Sequence, residues 1–145
     1  MRSSIFVASL ILTIPAALAQ TNSTESDRLI AAVQIHSLHK TILGFESSCR
    51  KSGSASLGDI TRSRSVWEQK HAAVLAAANR ILATGTPQQR AKLEADIDGQ
   101  NLAMEQKVES APKEERTRWC EDFPDGIASA TLNPGNSPAY QTLMN

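Results

Sequence analysis

Two cysteines, Cys49 and Cys120, stand 71 positions apart, and they constrain the fold more than any other feature of this sequence. What they do depends on the compartment, and the N-terminus reports on that. Met1 and Arg2 make a short positive start, and residues 5–14 (IFVASLILTI) are an apolar run. A run of about ten residues is too short to span a bilayer and is the size of a signal-peptide core. Pro15 breaks it, and Ala17-Leu18-Ala19 offers the small side chains that signal peptidase needs. Residues 1–19 are therefore expected to be a signal peptide, and the product is expected to be periplasmic or secreted. The short basic start and Ala-rich end favour a bacterial periplasm. No later stretch is apolar over a membrane-spanning length, so no stable membrane insertion is expected after cleavage.

In an oxidising space an even number of cysteines pairs by default. A Cys49–Cys120 disulfide closes a ring of roughly 70 residues, worth about 4 kcal/mol in the chain-entropy account. That is a large part of the net stability of a domain this size. The wide spacing also leaves no CxxC redox motif and no c-type haem attachment site.

The rest of the composition is that of one globular domain. Of 145 residues, 41% are hydrophobic and 4% aromatic, and 15 basic side chains balance 15 acidic ones. This balance argues against a basic nucleic-acid binder and against an acidic disordered tail. The chain is too short for a barrel enzyme or a full dinucleotide-binding domain.

Periodicity predicts helices throughout. Over residues 27–49, Ala31, Ile35, Leu38, Ile42, Phe45 and Cys49 recur at spacings of three and four, and Leu29, Ala32 and Leu43 form a second strip. Two strips imply a helix covered by two neighbours. KSGSASLG, residues 51–58, reads as a loop. A second helix then carries Ile60, Trp67, His71, Val74, Ala78 and Ile81 on one face, and Gly85 is expected to end it in a left-handed conformation. Thr86-Pro87-Gln88-Gln89 is a complete helix start: Thr86 to cap, Pro87 at the first position, Gln89 to close a capping box. The third helix follows with Leu93, Ile97, Met104, Val108 and Ala111 on one side, its phase unbroken by Gly99. Pro112 opens a fourth segment with Trp119, Cys120, Phe123 and Ile127 at helical spacing, and Pro124 is expected to kink it. Residues 133–138 (NPGNSP) are turn-rich.

The expected fold is all-α: an antiparallel bundle of three long helices plus a shorter kinked fourth, closed by one disulfide. Helices one and three should end at the same pole, where the fourth begins and where Cys120 meets Cys49. Residues 20–26 are expected to be a flexible mature N-terminus, 27–131 the bundle, and 132–145 a loosely packed tail.

One constellation hints at chemistry. His36 and His39 are three apart, as are Glu68 and His71 on the next helix, and facing helices build metal sites from such parts. The pattern falls short of a di-iron site, which needs a second E-x-x-H and further carboxylates. His71, between Trp67 and Val74, reads more plainly as a core histidine. No metal site and no cofactor are therefore assigned. Arg62 and Arg64 read as surface charge. Without a G-x-S-x-G, a Walker loop or an H-E-x-x-H, no catalytic residue is assigned and the chain is not expected to be an enzyme. The expected function is a non-enzymatic periplasmic protein-interaction factor of adaptor, inhibitor or immunity type, with a protein partner and no nucleic acid. The alternative is a carrier for a small ligand or a metal.

Overall fold

The computed structural model describes residues 23–130 and 136–145; the expected signal peptide lies outside the described residues. Every regular element among them is helical: α1 Ser23–Lys51, α2 Leu57–Lys70, α3 Ala72–Ala83, α4 Pro87–Ser110, α5 Lys113–Ser129 and α6 Pro138–Met144. None of these helices is long and apolar enough to cross a membrane.

The organising element is α1, 29 residues and roughly 43 Å long at 1.5 Å per residue. The other five helices all pack against it. Its main stripe enters the core as expected: Ala31, Ile35, Ile42 and Cys49 are buried, and Leu38 and Phe45 pack against them. Of the second strip, Ala32 is buried, while Leu43 remains 37% exposed. Residues 23–26, expected in a flexible stretch, belong to α1, where Glu25 in the first turn suits the positive end of the helix dipole. The helix ends in a Schellman motif. Gly53 takes φ 68°, its N–H donates to the Arg50 carbonyl, and the Ser54 N–H donates to the Cys49 carbonyl.

The expected second helix is two. It bends at His71 (φ −108°, ψ 14°), between α2 and α3. The i→i−4 bonds on either side survive, from His71 to Trp67 and from Leu75 to His71. The apolar stripe also stays in phase through the bend, so periodicity carries no trace of it. Gly85 is not left-handed; Gly53 is the one described glycine at positive φ. At the end of α3 the Thr84 and Gly85 N–H groups donate to the Ile81 and Leu82 carbonyls, and Arg90 Nη1 donates to the Ala83 and Gly85 oxygens. The start of α4 follows its sequence signature. Gln89 N–H donates to Thr86 Oγ1 at 3.2 Å, and Thr86 N–H donates to Gln89 Oε1 at 2.8 Å.

Thr61, Arg64 and Glu68 of α2 meet Glu46 and His39 of α1 in reverse order, so the two helices are antiparallel. Lys40 and Lys51 of α1 meet Glu94 and Glu105 of α4 in the same order, so these two are parallel and end at one pole. From that pole α5 returns. The Cys49–Cys120 disulfide ties it to the end of α1 with Cα atoms 5.8 Å apart, and Phe45 packs on Phe123 with ring centroids at 4.2 Å. The helix runs on through Pro124 to Ser129. Residues 138–144, expected to pack loosely, form α6. Ser137 caps it by accepting from the Tyr140 N–H, Pro138 occupies its first turn, and Ala139 and Leu143 join the core. α5 lies along α2, and α6 covers α1 and α3 beyond it.

One helix stands apart. The buried side chains of α4, Ile97 and Val108, do not belong to the main apolar cluster, and α4 packs chiefly on α1. Its attachment is therefore weaker than that of the helices that share the core. In native-state hydrogen exchange the central amides of α4 should open with a lower free energy than those of α1 and α3. Equal protection in α3 and α4 would contradict this. Replacing both cysteines by serine should lower unfolding free energy by about 2–5 kcal/mol in urea titrations.

Candidate functional site

Two polar seams run along α1, one towards α2 and one towards α4. The first begins at Glu46, buried at 4% exposure. A buried carboxylate costs several kcal/mol unless its oxygens are paired, and each of these is. Oε1 accepts from Arg50 Nη2 at 3.2 Å and from Thr61 Oγ1 at 2.8 Å. Oε2 accepts from Arg64 Nε. Arg64 Nη1 then donates to Glu68 Oε2 at 2.7 Å, and Glu68 Oε1 bonds to His39 Nε2 at 2.7 Å. The chain ends in rings: His39 stacks on Trp67 at 6.1 Å, and Trp67 meets His71 at 5.0 Å. The Trp67 indole N–H donates to the Ala130 carbonyl at the end of α5.

Arg64 is thus not the surface charge expected of it. It lies against α1 between two carboxylates, while Arg62 stays exposed beside Asp59. The sequence held one signal for this. Glu46 falls on the core face of α1, four residues after Ile42 and three before Cys49, and a charge there demands a buried cation from a neighbouring helix.

The second seam joins α1 to α4. His36 Nε2 bonds to Glu94 Oε1 at 2.8 Å. Lys40 Nζ lies 3.1 Å from Glu94 and 3.8 Å from Asp98. Lys51 Nζ lies 2.7 Å from Glu105 and 3.5 Å from Glu109. Between the two lysines the helices approach closely at Gly44, where a Cβ would come within 3.2 Å of Met104 Cε. Beside this approach is an open groove of about 430 Å³, lined by Leu43 and Leu102 with Lys40, Asp98, Asn101 and Glu105 at its margins. Leu102 is 55% exposed. A smaller recess of about 200 Å³ lies where His36 and Glu94 face Asn79, Leu82 and Arg90.

The four residues of the sequence constellation do not converge. His36 turns to α4, His39 pairs with Glu68 on α2, and His71 is buried against Trp67. Among the described residues, no group of three or more His, Cys, Asp or Glu side chains is placed to hold a metal ion.

The seams set the charge states. Burial pushes the Glu68 carboxyl up, but the bonds from His39 and Arg64 outweigh it and hold the group below its ordinary value. Glu94 is held down in the same way, with Lys40 and His36 overcoming burial. Burial, reinforced by Lys70, lowers the His71 imidazole below its ordinary value of 6.5.

These directions fix the sign of the acid response. Above 6.5, His71 is neutral in both states and costs nothing; as pH falls below 6.5 the unfolded chain binds the proton first, and stability drops until the folded site titrates. Glu68 and Glu94 stabilise fully above the ordinary glutamate value of 4.5, and that part is lost as pH falls through their lowered values. Urea midpoints measured from pH 7.5 down to 3 should therefore decline in two stages. His71→Gln should remove the upper stage, and Glu68→Gln should flatten the lower one. A wild-type midpoint constant between pH 7.5 and 5 would contradict the assignment to His71. Compared with protein-family models, with curated proteins and with solved structures, the chain has no match.

Proposed function

We propose that this chain is an exported, non-enzymatic protein-interaction factor, acting in the periplasm or outside the cell, and that it engages its partner along the groove between α1 and α4. The observation that carries this reading is the exposure of Leu43 and Leu102, 37% and 55%, side by side in an open groove rimmed by charge. Apolar side chains gathered in a groove with a polar rim are the usual make-up of a contact surface. Export is supported by the N-terminal apolar run followed by Ala17-Leu18-Ala19, and by a disulfide of the kind that persists in oxidising compartments.

A second reading, a carrier for a small ligand, is supported by the recess at His36, Asn79 and Arg90. Its volume, about 200 Å³, is below the usual range for ligand pockets of roughly 300–1,000 Å³, so the groove is preferred.

A photoreactive amino acid at position 102, and separately at position 66, tests the preferred reading. Val66 is 60% exposed on α2 and serves as the control surface. Irradiation in an extract of the exported compartment should give a discrete adduct from position 102 that is absent from position 66. It should disappear when Leu43→Glu is added. Identical adduct patterns from both positions would sink the proposal.

A further inference from the structure

The charges around the groove say more about its occupant, and the step taken here rests on the groove being the contact surface. Four carboxylates of α4 face α1: Glu94, Asp98, Glu105 and Glu109. Only two ammonium groups of α1 answer them, and each is shared. Lys40 serves Glu94 and Asp98, and Lys51 serves Glu105 and Glu109. Along the seam the four carboxylates outnumber the two ammonium groups, with one carboxylate in excess of the lysine in each pair.

The spacing is regular. Glu94 to Glu105 is eleven residues, and so is Asp98 to Glu109. Eleven residues make three helical turns, roughly 16 Å. The two carboxylate pairs therefore bracket the Leu43–Leu102 groove at its two ends. Within each pair one member is well exposed, Asp98 at 67% and Glu109 at 52%, and so is open to a further cation.

We propose that the groove receives a basic amphipathic helix from a partner protein, which sets an apolar side chain between Leu43 and Leu102 and places a Lys or Arg against each carboxylate pair, about 16 Å apart. A helix with cations eleven residues apart on the face that also holds its leucines meets both demands at once. Charge complementarity argues against a second copy of this chain pairing α4 on α4, because the excess on both faces is negative.

The probe is a fluorescein-labelled helical peptide of about 18 residues, with two lysines eleven apart and two leucines between them on one face, matched by a version with both lysines replaced by glutamate. Fluorescence anisotropy with the oxidised protein should show the lysine peptide binding at least about tenfold more tightly, with affinity falling as salt is raised. The variant Asp98→Asn/Glu109→Gln removes the two exposed carboxylates, and it should bring the two peptides to within about twofold of each other. Helical circular dichroism of that variant should match the parent, since both side chains are exposed. Equal binding of the two peptides, or an undiminished preference in the variant, would overturn the proposal. So would concentration-dependent dimerisation that Leu102→Glu abolishes, which would make the occupant a second copy. If position 102 still crosslinks a partner while the lysine peptide fails to bind, the basic occupant is refuted and the groove reading stands. If both fail, the groove reading falls with it.

Discussion

The Cys49–Cys120 bond decides where everything else can go. It fixes the middle of the returning helix α5 to the last turn of α1, and both cysteines are fully buried. With that point set, Phe123 lies over Phe45, α5 runs along α2, and Ala130 reaches the Trp67 indole. The chain needs such a constraint. Its aromatic content is 4%, and much of its core is Ala, Val and Ile, which bury less area per residue than large rings do. A covalent ring closure acts on the unfolded chain and does not depend on core volume. It complements a core built from small side chains.

Around this anchor, α1 uses its circumference for different kinds of contact. The Ile35 and Ile42 side faces the shared core, with Glu46 at its border with α2. The Glu46 side meets α2 through a satisfied charge network, and the Lys40 and Lys51 side meets α4 through shared ion pairs. The two polar seams differ in depth, and so in what they contribute. Glu46 is buried, and removing Arg64 would strip Oε2 of its partner while Arg50 and Thr61 still hold Oε1, at a cost of about 1–3 kcal/mol. Pairs such as Lys51–Glu109 are half exposed and are worth roughly 0–1 kcal/mol each. The first seam therefore fixes the register of α2 on α1. The second orients α4 without gripping it.

What could be read from the sequence follows the range of the interactions. The capping box at Thr86 and Gln89 and the buried stripe of α1 are local patterns, complete within a few turns, and both appear as expected. The common pole of α1 and α4 also follows, since it needs only similar helix lengths and short connections. The bend at His71 leaves hydrogen bonds and apolar phase intact, so no pattern marks it. The short helix α6 has seven residues behind a Pro- and Gly-rich stretch. A segment that short is not stable alone, and its place in the fold comes from Ala139 and Leu143 meeting a surface that only tertiary structure creates. Arg64 is hidden for a similar reason. Its partner Glu46 is 18 positions away on another helix, beyond any single-helix spacing rule. The histidines misled because spacing within a helix says which residues are near one another, not which neighbouring helix each one faces.

The weak attachment of α4 and the open groove beside it have one physical origin. A helix joined to the core by a wide apolar face would bury Leu43 and Leu102 and close the groove. Here the Met104 and Asn101 side chains pack onto Gly44 at one point, and shared ion pairs hold the two ends, while Leu43 and Leu102 between them stay partly in solvent. Shared pairs leave each lysine under-serving its carboxylates, and the surplus charge lies at the two ends of the same groove. Exposed apolar surface and unbalanced charge each cost stability when nothing covers them. Both features are concentrated along one helix that is itself held loosely. A bound helix would cover the leucines, supply the missing cations and add a second neighbour to α4, relieving all three at one place.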